Sequence, residues 1–229
     1  MISKKDVGEI SNSILESRAN TKKIPDLVNA LDHPKLVKTV LSHLHKVFAT
    51  LSQRGDLKPV NVNAEKSEAV VKYSKWLTQV YEVTLGKVAS ILNEPESDGL
   101  VKELSLTTYM KLFVLGSDKE LVDKWSQAEI QRLNLIVETL LSSDKDHQPT
   151  IERFQEYLEY PDVKYYTIQC LTRHPRMSRQ CSKDHNRTFR QNILKFLEIL
   201  NYEGISFLDC TQTLTLRPIT RCFLCYRKK

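Results

Sequence analysis

The side chains best suited to chemistry gather near one end of the sequence. Cys222 and Cys225 stand three apart, the spacing of half a zinc site, and Cys181, His185 and Cys210 could supply the remaining ligands. A structural zinc would give this thin segment a cross-link. Against it, a single C-x-x-C with scattered partners is a weak pattern, and redox motifs of that form open a helix beside a sheet. His43 and His45 are two residues apart, roughly 200° around a helix, so they do not share a metal. The sequence has no phosphate-cradling glycine loop, no G-x-S-x-G elbow and no paired-histidine protease motif. Carboxylates are plentiful, but no local spacing sets one beside a nucleophile or a base. The expectation is a chain without catalytic residues, cofactor, metal or small-molecule substrate.

Two further groups could bind nucleic acid. Tyr73, Trp76, Tyr81, Tyr109, Tyr157, Tyr160, Tyr165 and Tyr166 could stack on unpaired bases. Tyr73 and Trp76 share the apolar face of a helix, however, where aromatic rings pack against the neighbouring helix. Tyr165 and Tyr166 point to different sides of theirs, which leaves one for solvent. The second group is basic. Residues 1–171 carry 22 Lys+Arg against 24 Asp+Glu, net −2, whereas residues 172–229 carry 12 against 4, net +8. Arg173, Arg176, Arg179, Lys183, Arg187 and Arg190 are the candidates for contact with RNA phosphates; a solvated basic tail is the plainer reading. The main body would need a local patch that its total charge does not reveal.

The elements that position these residues are helical. The chain has 229 residues, 41% of them hydrophobic, and only 6 Gly, too few for the tight turns of a many-stranded sandwich. Apolar residues recur at three- and four-residue steps along residues 36–51, after Asp32-His33-Pro34 as the start signal. The same period predicts helices over about 64–92, 100–115, 128–141 and 150–160, with Leu100 and Val70 among the apolar positions and a last short helix opened by Pro161. Polar breaks with Pro59, Pro95, Gly99 and Gly116 separate them. Antiparallel helix pairs stacked in one direction make a solenoid, although a compact bundle satisfies the same pattern.

Beyond Leu171 the pattern changes. Residues 172–186 have no apolar period, Phe189 to Leu200 make one more helix, and residues 205–208 and 211–216 lean towards strand. The division expected is a helical-repeat domain over 1–171 and an irregular basic tail over 172–229. No run approaches the ~20 apolar residues of a membrane span. Met1 to Asp6 lack the apolar core of a secretory signal, which predicts an intracellular protein with reduced thiols and no membrane partner.

Three stretches carry a resemblance: Lys72-Tyr73-Ser74-Lys75-Trp76-Leu77; Val101-Lys102-Glu103-Leu104-Ser105-Leu106 continuing to Met110-Lys111-Leu112-Phe113; and Phe154-Gln155-Glu156-Tyr157-Leu158-Glu159-Tyr160 followed by Asp162-Val163-Lys164-Tyr165-Tyr166-Thr167. Their order and spacing resemble the N-terminal half of the nucleolar complex protein 4 family, over roughly residues 30–171. The resemblance implies an all-α, HEAT- or armadillo-like helical repeat that works without catalysis as a nucleolar scaffold in small ribosomal subunit biogenesis and rRNA processing. The implied partners are nucleolar protein 14, other small-subunit processome proteins and pre-rRNA. A generic adaptor for proteins, or an RNA-binding module acting through the basic tail, are the alternatives. Family members carry a second, CCAAT-binding-factor-like helical half, so this chain is expected to present the first half alone. The motif positions Tyr73, Trp76, Lys102, Glu103, Phe154, Tyr157, Tyr160, Asp162, Tyr165 and Tyr166 are expected to be mostly structural.

Overall fold

The computed structural model describes residues 2–57, 67–95, 97–116, 125–141, 145–173 and 183–200. Helix α1 spans Lys4–Glu16, α2 Ile24–Asn29, α3 Val37–Gln53, α4 Glu68–Ser90 and α5 Gly99–Leu115. Then come α6 over Gln127–Leu140, α7 over Gln148–Phe154, α8 over Pro161–Arg173 and α9 over Lys183–Ile199. Among the described residues there is no strand.

Local chemistry sets the ends. Ser3 and Asp6 form a reciprocal capping box on α1, with Ser3 N–H donating to Asp6 Oδ2 at 2.7 Å and Asp6 N–H to Ser3 Oγ at 3.2 Å. Those bonds hold the Asp6 carboxyl below its usual range. Ser126 and Glu129 repeat the device on α6, and Asp98 caps α5 by accepting from Val101 N–H at 2.7 Å. Helix α3 begins at Val37 with no side-chain cap, later than the Asp32-His33-Pro34 signal suggests. Pro34 holds His33 extended, at φ −103° and ψ 106°, so a turn intervenes before the helix. The expected helix over 150–160 is likewise shorter. It tightens into a 3-10 turn at Gln155–Glu159, and Pro161 then opens α8.

Once formed, α3 buries Val40, Leu41, Leu44, Val47, Phe48 and Leu51 completely. Its apolar stripe meets α1 on one side and α5 on the other. Two expected core positions are corrected. Leu100 is 61% exposed and Val70 45% exposed. Leu100 stands one step around α5 from Val101, on the solvent side; Val70 lies in the first turn of α4, before that helix reaches the seam.

Each helix packs on the next in sequence or on the next but one, and this settles solenoid over bundle. Contacts run α1–α3, α3–α5, α5–α7 and α7–α9 in one layer and α2–α4, α4–α6 and α6–α8 in the other, with the core between. Within a layer neighbours run parallel: Lys38 near the start of α3 meets Asp98 at the start of α5, and Ser52 near its end meets Leu115. Between layers they run antiparallel, since Tyr81 reaches Leu112 while Val88 reaches Ser105. The fold is an all-α solenoid of antiparallel helix pairs. The division drawn at Leu171 falls inside α8, and α9 seats Phe196 edge-on against Phe154 of α7, with ring centroids 5.8 Å apart. The strand-leaning segments 205–208 and 211–216 lie outside the described residues.

Candidate functional site

The second and third motif stretches meet in space. Glu103 of α5 pairs with Arg153 of α7, Oε1 to Nε at 3.2 Å, and Arg153 also pairs with Glu156. Phe154 is fully buried, with the Tyr157 ring 6.0 Å away. Burial pushes the Tyr157 phenol above its usual range. A ladder of rings continues the junction: Phe113 lies 5.2 Å from Trp125, Trp125 stacks on Tyr166 at 4.7 Å, and Tyr166 meets Tyr165 edge-on at 5.0 Å. Tyr165 reaches solvent at 42% exposure and accepts from Gln169 Nε2 at 2.6 Å. Tyr160, at 63%, is the most exposed of the motif aromatics. Asp162 is exposed in the first turn of α8, where its charge complements the helix dipole; Lys102 is half-buried on α5.

The first stretch stands apart. Tyr73 and Trp76 are half-buried against the core of the solenoid's beginning, rings 6.1 Å apart. Burial raises the Tyr73 phenol above its usual range. The motifs therefore mark two joints of the stack, and of the ten motif positions singled out by sequence the exposed ones are Glu103, Tyr160, Asp162 and Tyr165.

Sequence reasoning missed a set of buried polar joints. Arg132 of α6 is 9% exposed. It donates to Glu82 Oε1 of α4 from Nε at 2.9 Å and Nη2 at 2.7 Å, and to Gly116 O from Nη1 at 2.8 Å. Its guanidinium lies 5.0 Å over the Tyr81 ring. Tyr81 Oη donates to Leu112 O and Tyr109 Oη to Arg132 O, both at 2.6 Å. Desolvation drives both phenols far above their usual range. Gly116 is required here because a Cβ would collide with the Tyr81 hydroxyl and ring. Arg132 stands four residues before Ile136 and Glu129 four before Leu133, so charged residues sit on the apolar stripe of α6; that is the signal available in the sequence. The second joint links α7 and α9. Asn192 accepts from His147 N–H at 3.1 Å and donates to Lys145 O at 2.8 Å, while His147 Nε2 lies 3.0 Å from Asn93 Oδ1. Lys195 adds a 2.6 Å ion pair with Glu152.

The basic candidates scatter. Arg187 and Arg190 are exposed, three residues apart on α9. Arg173 ends α8 and Lys183 begins α9, whereas Arg176 and Arg179 lie outside the described residues. So do Cys181, Cys210, Cys222 and Cys225, while His185 lies on α9 and Cys170 is buried in α8. Among the described residues, no three His, Cys, Asp or Glu side chains gather as a metal site, and no helix is long and apolar enough to cross a membrane. A cavity of about 560 Å³ opens beside α3 and α5, its wall holding Lys35, Lys38 and Lys87 against Asp32, Glu94 and Asp98. Lys38 and Lys87 are already paired with Asp98 and Asp32.

Comparison with known proteins places this arrangement. Residues 3–179 match the family model described as nucleolar complex protein 4-like, TPR repeats. The nucleolar complex protein 4 homologue of Rattus norvegicus is 26% identical over 87% of this chain and 40% of its own length. That of Mus musculus is 28% identical over 74% of this chain and 35% of its own, and homologue B of Xenopus laevis 28% over 82% and 38%. No solved structure matches the chain. It thus spans about two-fifths of the length of these curated relatives. A stack of helix pairs over the matched span accords with a family described by its helical repeats, and the chain belongs to the nucleolar complex protein 4-like family.

Proposed function

We propose that this chain is a non-enzymatic nucleolar scaffold that contributes to small ribosomal subunit biogenesis and rRNA processing. The observation that carries the reading is the two-layered solenoid over the family-matched span, in which several buried polar groups join one helix to another. Tyr109, Arg132, His147 and Asn192 each serve a neighbouring backbone or side chain, a use of polarity that stiffens a stack. Repeats of this kind present long surfaces on which other macromolecules assemble. The partners expected are nucleolar protein 14, other processome proteins and pre-rRNA. Tyr160 and Tyr165 are the motif aromatics available to a protein partner, and Arg187 and Arg190 the exposed cations of the basic segment available to phosphates.

The test is to tag the chain in cells and fractionate extracts on a gradient. Nucleolar fluorescence with co-sedimentation in small-subunit precursor particles is expected. A protein confined to the cytoplasm and absent from those particles refutes the reading. Arg187 and Arg190 also favour a second reading, an RNA module acting through α9 and the segment beyond it. In that case R187Q/R190Q lowers RNA affinity and flattens its salt dependence by about one to two units of slope.

A further inference from the structure

The cavity beside α3 and α5 lies where one edge of the stack brings four helix ends together. The 3-10 turns that follow α2 and α4, at Ala30–Asp32 and Ile91–Asn93, meet the starts of α3 and α5. Its volume of about 560 Å³ falls in the range of formed binding pockets. Leu31, Val37, Ile91 and Val101 line it and keep 4–8% exposure, whereas Val40, Leu44 and Val88, deeper in the seam, keep none. Those four residues supply its apolar surface. The charges on the wall are mostly spent on one another. Lys87 Nζ donates to the two Asp32 carboxylate oxygens at 3.0 and 2.8 Å and to Asn29 Oδ1 at 3.3 Å, a contact for each of its protons. Lys38 pairs with Asp98 at 3.2 Å. Lys35 and Glu94 line the same cavity, are exposed, and have no ion-pair partner among the described residues.

We infer that this cavity docks a peptide segment of a partner protein through one apolar side chain, flanked by an acidic residue for Lys35 and a basic residue for Glu94. Charge complementarity selects that occupant. A phosphate approaching Lys35 meets the carboxylates of Asp32, Glu94 and Asp98 on the same wall, so a polyanion is opposed where it would be held. A purely cationic ligand meets Lys35, Lys38 and Lys87 in the same way. A metal ion finds Asp32 and Asp98 already bonded to lysines. A segment of balanced charge pairs with both free groups, and its apolar side chain is the kind of anchor that a pocket holds at an interface. This site rests on the scaffold reading and deepens it, by giving one partner protein a defined hold on the edge of the stack.

The probe is an array of synthetic nonapeptides with a central Leu or Phe and with Asp and Lys on opposite sides of it. Both charge orders are included, at spacings of about one to three residues from the centre. Affinity of the full chain for each peptide is read by fluorescence anisotropy. Wild type is expected to prefer one charge order by about fivefold, and K35E/E94K to invert that preference. Both positions are exposed, so an unchanged thermal melt verifies folding. Ser97→Trp, checked by the same melt, adds bulk to the cavity wall and is expected to abolish binding. The inference is overturned by wild type that binds no peptide at millimolar concentration or shows no order preference. It is equally overturned by a preference that survives K35E/E94K, by full binding in Ser97→Trp, or by single-stranded RNA that displaces the best peptide and binds more tightly through Lys35. A chain that binds these peptides as expected but never enters precursor particles sinks the scaffold reading alone. One that enters the particles and binds no peptide sinks this inference alone.

Discussion

Helices α3 and α6 solve the same packing problem with different materials. Helix α3 presents an unbroken apolar stripe to its neighbours, and its ion pair of Lys38 with Asp98 stays at the rim. Helix α6 buries Leu133, Ile136, Val137 and Leu140 but also Arg132 and Glu129. The guanidinium of Arg132 ties α6 to α4 and to the end of α5, three helices held by one side chain. An apolar seam is non-directional and tolerates small slips. A planar fork of donors accepts one geometry, so the later part of the stack is held in a more sharply defined register.

Breaking the α6 joint should have the largest effect. Arg132→Ala leaves Glu82 and the Gly116 carbonyl without their donor and is expected to cost about 3 kcal/mol in urea unfolding. Arg132→Lys should recover less than half, because one ammonium cannot serve both acceptors and cover the Tyr81 ring. A loss below about 1 kcal/mol for Arg132→Ala would erase the contrast with α3. Gly116→Ala should follow at about 2 kcal/mol, since its Cβ meets the Tyr81 hydroxyl and ring. Combining it with Tyr81→Phe should give a total clearly below the sum of the two single changes. Asn192→Ala, at the α7–α9 joint, should cost about 1 to 2 kcal/mol and speed amide exchange at His147.

Rim interactions sharpen the comparison from the other side. Lys87→Ala removes the 2.8 Å pair with Asp32 and should cost less than about 1 kcal/mol, because Asp32 is well exposed. The smallest effect is a pH dependence on α3. Burial, then the nearby lysines, hold the His43 and His45 imidazoles below their ordinary pKa. The unfolded chain therefore binds more protons as pH falls through the ordinary imidazole range, and stability declines there. Relative to wild type, H43Q/H45Q should show a shallower fall in melting temperature between neutral and mildly acidic pH.

How much was legible depends on the physics of each feature. The α3 stripe was, because apolar residues at helical period leave few alternatives for their burial. Breaks at Pro95 and Gly116 were also legible, since proline and glycine act locally, whereas Gly99, expected in the first break, is the opening residue of α5. Leu100 and Val70 were misplaced because one step around a helix separates core from solvent, and the neighbour decides which side is inside. Of the motif residues, Phe154 could be assigned to packing, whereas the meeting of Glu103 with Arg153 and of Tyr166 with Trp125 required the fold. The joints of Arg132 and Asn192 join residues 16 to 50 positions apart, and no local period encodes such pairs.

By itself the sequence determined that this chain is helical, where its helices break, and that its positive charge is concentrated after residue 171. It also carried the motif order of the nucleolar complex protein 4-like family. Backbone propensity, proline geometry and apolar period act within a few residues, so they are written along the chain. Tertiary structure decided that the helices stack as a solenoid, which charged groups are buried, and which polar side chains join one helix to another. Those outcomes depend on distances between residues far apart in sequence, and only the packed layers set them.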